Sequence, residues 1–442
     1  MRLLTMDGAV MPASDTQGLL HLLRAGGAPL MIFGLLGRLP TAMAPMLLLV
    51  AIPVGGGSLV QAGSAVGLSA LGTAASGAAV GLLVDRLGAR PVVGAIAAVQ
   101  SAALLGLAAQ FGNLNDSPLL LPLAFVVGLC NPSIGSLARA AWIRRVETGE
   151  LDGPGSRSAM AWEAASDEAG FVIAPVIASS LLVAIEPRAA LVGLAGVGLV
   201  VHLGFVRLVP LRVVTIGGSR RGIGGEGLEP VFPAHAGQRP VLLALAAILI
   251  AISVGLVFGA TQATVNSLFA VLGVPAMVGV IYGLVGIGSI AGGVVWAQTP
   301  DRLRGTWIIV AAGAALVALG ALAIGWPSMG IVATGVLCAF VGLWLSPVLA
   351  EAYGRARRVV SNRFQVTMMT VLASGTSVGV GVSAPLASNL SVTYGAQRGF
   401  LVLIVAGAGF LIGGGYILLR QASYRRHDQD AHDGTDARSG QD

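Results

Sequence analysis

Residues 241–269, VLLALAAILIAISVGLVFGATQATVNSLF, run twenty-nine positions without one charged side chain. A surface helix of a soluble domain needs a polar face, and this run has none. It also exceeds the roughly 20 residues that carry an α-helix across the ~30 Å hydrocarbon layer. No water reaches that layer, so backbone groups must pair inside the segment, and the run predicts a spanning helix. Comparable runs lie at about 28–52, 58–80, 91–110, 118–138, 159–184 and 188–208. After a polar interruption, further runs lie at about 241–269, 275–298, 306–326, 329–350, 364–388 and 399–419. The expected fold is an all-α membrane protein with twelve transmembrane helices in two pseudosymmetric six-helix bundles. Its parts are a segment 1–27, a bundle 28–210, a linker 211–239, a bundle 240–420 and a disordered polar tail 421–442. Segment 1–27 lacks the long apolar core and small-residue cleavage site of a signal peptide and reads as a cytoplasmic lead-in.

Composition agrees. Charged residues make up 10% and mean hydropathy is +0.85, whereas an ordinary soluble domain carries about 25% charged residues. All 26 residues counted as lysine or arginine are arginine. A phosphate-binding loop of the Walker type, which needs its lysine, is therefore excluded. The net charge of +6 would suit nucleic acid, but the placement of the arginines argues for a bilayer instead. With both termini inside, 23 of the 26 fall in cytoplasmic segments, Arg188 and Arg398 lie outside and Arg38 alone falls within a run. That asymmetry is the positive-inside rule, and it predicts a multi-pass protein of the inner (plasma) membrane. Cys130 and Cys338 have no metal or redox spacing around them.

The chain repeats itself. DRLGARPVV at 85–93 is echoed by DRLRGTWII at 301–309, an offset of 216. IAPVIASS at 173–180 is echoed by SAPLASN at 383–389, offset 210, and Cys130 by Cys338, offset 208. Agreeing offsets indicate two parallel repeats, the arrangement in which a carrier places its substrate between halves near the bilayer midplane.

The first of these loops carries Gly81, Leu83, Asp85, Arg86, Gly88 and Arg90. In those residues the chain resembles the major facilitator superfamily, whose loop signature reads GxLaDrxGrk; Pro91 stands where a basic residue is usual. An anion at one helix end favours the orphan N–H groups at the start of another by about 0.3–1 kcal/mol. The resemblance implies that Asp85 faces the start of the eleventh helix, with Ser361 or Asn362 as N-cap. Pseudosymmetry sets Asp301, followed by Arg302, against the start of the fifth helix near Ser158. Such contacts would form a conformational gate. GFVIAPVIAS at 170–179 resembles the family's antiporter signature GxxxGPxxGG in Gly170, Ala174 and Pro175. Three of its glycines are replaced, which leaves the direction of transport open.

Just before that stripe, AWEAASDEAG places Glu163, Asp167 and Glu168 within two turns. A charge at mid-membrane costs about 2.5–3.5 kcal/mol even on a lenient scale, so such groups need partners or a wet cavity. Arg38 stands about ten residues into the first run, at a height matching Glu168 on the fifth. The expectation is that Asp167 or Glu168 carries a proton while Arg38 sets its proton affinity, with Glu163 nearest the interface. A permanent ion pair, or acids that stay wet, are the competing readings. In helix four the family's RxxqG arginine is replaced by Asn131, ahead of Gly135.

Candidate cavity residues are Asn131, Gln262, Asn266, Tyr282 and Trp344, each also suited to joining helices. GIGGEG at 222–227 lacks the strand and helix of a dinucleotide site, and GTSVG at 375–379 lies inside an apolar run without a histidine. No metal or cofactor is expected, nor an enzyme. The expected function is alternating-access, proton-coupled efflux of a small amphipathic or lipophilic compound by a monomer. Its partners would be that solute, protons and the bilayer, with no nucleic acid. Uptake by a symporter or uniporter, and a nontransporting sensor on the same fold, are the alternatives.

Overall fold

The computed structural model describes residues 22–23, 27–151, 153–208, 240–326, 328–360 and 365–439. Helices follow one another with short connections: α1 (Ala28–Val54), α2 (Leu59–Leu87), α3 (Ala89–Ala109), and α4 in two pieces, Leu120–Leu129 and Ile134–Glu147. Then come α5 (Gly153–Ala184), α6 (Pro187–Leu208), α7 (Pro240–Val271), α8 (Val278–Gln298) and α9 (Trp307–Gly325). The series ends with α10 in two pieces, Ile331–Leu343 and Leu345–Val359, α11 (Gln365–Tyr394) and α12 (Leu401–Ser439). Among the described residues there is no strand. Eleven stretches are long and apolar enough to cross a membrane, one in each of these elements except α2. Val183, Val200, Val295 and Val332 stand out on the surface with more than half of each side chain exposed, a surface that suits lipid rather than water.

Local chemistry sets the boundaries. Ser58 accepts from the Gln61 amide at 3.1 Å while its own N–H donates to Gln61 Oε1 at 2.8 Å, a reciprocal cap that starts α2. Between α2 and α3, Gly88 adopts φ +89°, a backbone that a side chain would strain. The break in α4 falls at Cys130–Ser133, where Pro132 has no N–H to continue the ladder and disfavours helix at Asn131.

Several boundaries differ from expectation. α5 begins at Gly153, about six residues before its apolar run. Pro154 there is tolerated because the first helical N–H groups have no partner anyway. α4 resumes after its break and runs to Glu147, beyond the expected end at 138. The tail expected to be disordered from residue 421 instead prolongs α12 to Ser439, since adding turns to a nucleated helix costs far less than starting one. The segment 1–21 and the linker 211–239 lie outside the described residues.

Packing groups the helices. α1 lies against α5 and α6, α3 against α6, and α2 against α4; α7 lies against α11 and α12, α9 against α12, and α8 against α10. Two seams join the groups, α2 with α11 and α5 with α8. Gly67 of α2 faces Pro385 of α11, and Gly279 of α8 faces Pro175 of α5. The glycines are 279 − 67 = 212 positions apart and the prolines 385 − 175 = 210, so the sequence repeat relates one seam to the other.

Candidate functional site

The near end of the bundle is the end where α1 and α7 begin. Arg38 is ten residues past the start of α1 and Glu163 ten residues past the start of α5. At 1.5 Å per residue both stand about 15 Å from the near end, with Asp167 one turn deeper. The Arg38 guanidinium spans both acids. Its Nη2 pairs with Glu163 Oε2, its Nε donates to Asp167 Oδ1 at 2.6 Å, and its Nη1 donates to the Gly34 carbonyl at 2.8 Å. From α4, Arg139 Nη2 pairs with Asp167 Oδ2 and Trp142 Nε1 donates to Glu163 Oε1 at 2.8 Å.

The spacings are those of helix faces: 34 and 38, 163 and 167, and 135, 139 and 142 each recur at three or four residues. Two guanidiniums balance two carboxylates. Arg38 is 7% exposed and Glu163 is 0% exposed, so these charges depend on each other. Removing one partner of a buried pair costs about 3–5 kcal/mol, because the other is left uncompensated. A β-carbon at Gly135 would stand 3.1 Å from both Arg38 Nη2 and Asp167 Oδ1 and 3.4 Å from Arg139 Nη1. Glycine there lets three charged groups converge.

Glu163 is the correction to the expected site. Because α5 starts earlier than its apolar run, Glu163 is carried from the interface to the height of Arg38 and becomes its fully buried partner. Glu168, expected at that height, makes no hydrogen bond or ion pair among the described residues. Arg139 and Trp142 join the site because α4 resumes past 138, the end of its apolar run, and Arg38 is thus not alone within a span. The signal was present: Gly135, Arg139 and Trp142 follow one another at helical spacing directly after an apolar run. His202 is buried on α6 with Nε2 3.0 Å from the Gly37 carbonyl, beside Arg38.

In the last turns of α2, Gly81 and Arg86 are exposed. Arg90 Nε and Nη2 donate to the carbonyls of Val206 and Arg207, both at 3.2 Å. A cation thus meets the carbonyl end of α6, where the helix dipole favours it. The side chains of Asp85 and Asp301, with Ser361 and Asn362, lie outside the described residues. Arg302 is exposed, and α5 starts five residues before Ser158. The Gly170 stripe turns toward α1: a β-carbon on Gly170 would stand 4.0 Å from Arg38 Cβ, and Ala174 is buried. Small residues there let α1 and α5 approach closely enough for the ion pairs.

The cavity candidates separate. Asn131 is partly exposed at the break in α4, Tyr282 and Trp344 are partly buried, and Gln262 is buried. Asn266 is engaged elsewhere. Pro53 has no N–H to bond the carbonyl four residues back, and Asn266 Nδ2 on α7 donates to that Leu49 carbonyl at 3.0 Å. This bond ties α1 to α7 at the far end.

Comparisons with known proteins agree with this arrangement. The family model described as Major Facilitator Superfamily matches residues 30–358. No curated protein matches the chain. The nucleoside transporter NupG superposes with a TM-score of 0.66 at 14% identity, covering 89% of this chain and 98% of that one. A bacterial homologue of the iron transporter ferroportin, in an inward-facing state, gives 0.59 at 18% identity, covering 89% and 99%. A bacterial homolog of the human lysosomal transporter Spinster, inward-facing and occupied, gives 0.59 at 14% identity, covering 94% and 98%. At these identities the likeness speaks for the fold. The chain is a multi-pass membrane transporter that belongs to the Major Facilitator Superfamily.

Proposed function

We propose that the protein is a proton-coupled secondary transporter that exports a small amphipathic or lipophilic compound by alternating access. The reading takes α2, 29 residues long, as a twelfth span, giving two pseudosymmetric six-helix bundles in the inner (plasma) membrane with both termini in the cytoplasm. The observation that carries it is the charged network on α1, α4 and α5 with Glu168 beside it. Asp167 is already engaged by two guanidiniums, whereas the Glu168 oxygens have no partner among the described residues and are placed to accept a proton.

Contacts between the halves lie at the far end, at Pro175 against Gly279 and Asn266 against Leu49, and along the α2–α11 seam, where Ser374 Oγ donates to the Ala74 carbonyl at 3.3 Å nearer the other end. The second pieces of α4 and α10, at the near end, pack within their own halves. In this reading the near end, on the cytoplasmic side, opens and closes. Protonation of Glu168 and solute release would alternate with closure at that end. A carrier gains ~2.3 kcal/mol for each unit charge moved through 100 mV, enough to bias two states.

The test is transport in liposomes with an imposed pH gradient and an internal pH dye, screened against lipophilic cations and neutral drugs. Wild-type protein should acidify or alkalinise the lumen only when solute is present, and Glu168→Gln should abolish the proton signal. Solute-driven proton movement that persists in both Glu168→Gln and Asp167→Asn would refute the coupling.

A further inference from the structure

We propose that Glu168 and the stacked rings of Phe171 and Phe258 form a subsite for a lipophilic organic monocation between the two halves. The proposal rests on the transporter reading and names the chemical class of its solute.

Charge is the first ground. At mid-depth the described spans hold Arg38, Arg139, Glu163, Asp167 and Glu168. The first four cancel through their ion pairs, so Glu168 leaves one negative charge. The facing wall supplies nothing against it: α7, α8, α9 and α11 contain no charged residue. Glu351 and Arg355 of α10 pair with each other at 2.6 Å, near the helix end. A cation completes the site, an anion is repelled, and a neutral solute leaves the carboxylate uncompensated.

Position is the second. Glu168 stands one turn before Val172, whose side chain meets Gly283 and Gly286 of α8. Along α5, the faces at Glu163 and Asp167 turn to α1 and α4, and those at Val172 and Pro175 turn to α8. On a 3.6-residue wheel residue 171 falls between these faces, on the side where its ring meets α7, and residue 168 falls next to it at the edge of the α8-facing arc. The Phe171 ring is nevertheless 59% exposed. It lies parallel to Phe258 of α7, with centroids 6.2 Å apart and planes 6° apart.

An exposed ring stack bridging the halves, one turn from an unpartnered carboxylate, offers flat apolar area and π-faces that attract a cation. Solute and proton would then compete for the same oxygens, and binding of one would displace the other.

Equilibrium binding to the purified full chain at alkaline pH, without a gradient, tests this. The probes are tetraphenylphosphonium and neutral triphenylphosphine oxide, which has a similar aromatic body. Wild-type protein should prefer the cation by about tenfold. Glu168→Gln should remove that preference while still binding the neutral probe, Glu168→Asp should keep it, and Phe171→Ala should weaken both probes. A wild-type protein that binds the two equally, an E168Q variant that keeps the preference, or one that loses both probes alike overturns the assignment. A cation preference without coupled proton flux in liposomes would sink the coupling and leave the subsite. Proton coupling without the preference would do the reverse.

Discussion

Replacing Glu163 by glutamine removes a charge that is wholly buried and bonded to both Arg38 and Trp142. The magnitude follows from what remains. Arg38 keeps Asp167, but Asp167 is shared with Arg139, so two guanidiniums face one carboxylate about 15 Å inside the bundle. A stranded partner costs about 3–5 kcal/mol; because Asp167 still touches Arg38, the lower end, about 3 kcal/mol, is expected. Replacing Arg38 by methionine strands Glu163 with only Trp142 and should cost at least as much. The double variant strands neither, so a double-mutant cycle should return a coupling energy of about 2 kcal/mol, measured by reversible unfolding in mixed micelles. Effects that add to within about 0.5 kcal/mol would show that the pair is not energetically linked and would refute the reasoning from burial.

Two further outcomes follow from the geometry. Gly135→Ala places a methyl group 3.1 Å from Arg38 and Asp167, so transport should fall at least about tenfold, a ~1.4 kcal/mol loss, while the purified protein stays monodisperse; unchanged transport would show that the charges have room to spare. Asn266→Leu leaves the Leu49 carbonyl without its donor, at about 1–3 kcal/mol, and should raise the reactivity of far-end cysteine labels introduced beside the α1–α7 seam; labelling equal to that of the wild type would remove the bond from the closed state.

How much was legible in the sequence depends on the range of the forces. Each span must satisfy its own backbone and contact lipid, so the apolar runs marked the helices with little tertiary information. A fixed rise per residue also made it possible to match Arg38 with acids on the fifth run. The hydrophobic edge of the fifth run, however, is not the start of its helix. GPGSRSAM, residues 153–160, reads as a turn, yet its glycines and proline sit in the first turns of α5, where they cost little. That shift exchanged Glu168 for Glu163. The second piece of α4 escaped for a related reason: its arginine-rich face looks like a loop until Asp167 and Glu163 are seen to need it. The bond from Asn266 to Leu49 was out of reach, because a carbonyl freed by Pro53 does not announce which distant helix will satisfy it.

The central claim is that Glu168, not the doubly held Asp167, takes up the proton. Infrared difference spectra recorded across a pH jump, on wild-type protein and on the E168Q and D167N variants, test it most directly. The account predicts a protonated-carboxyl band that grows as pH falls, persists in D167N and is missing from E168Q. A band that survives in E168Q and disappears in D167N would contradict it.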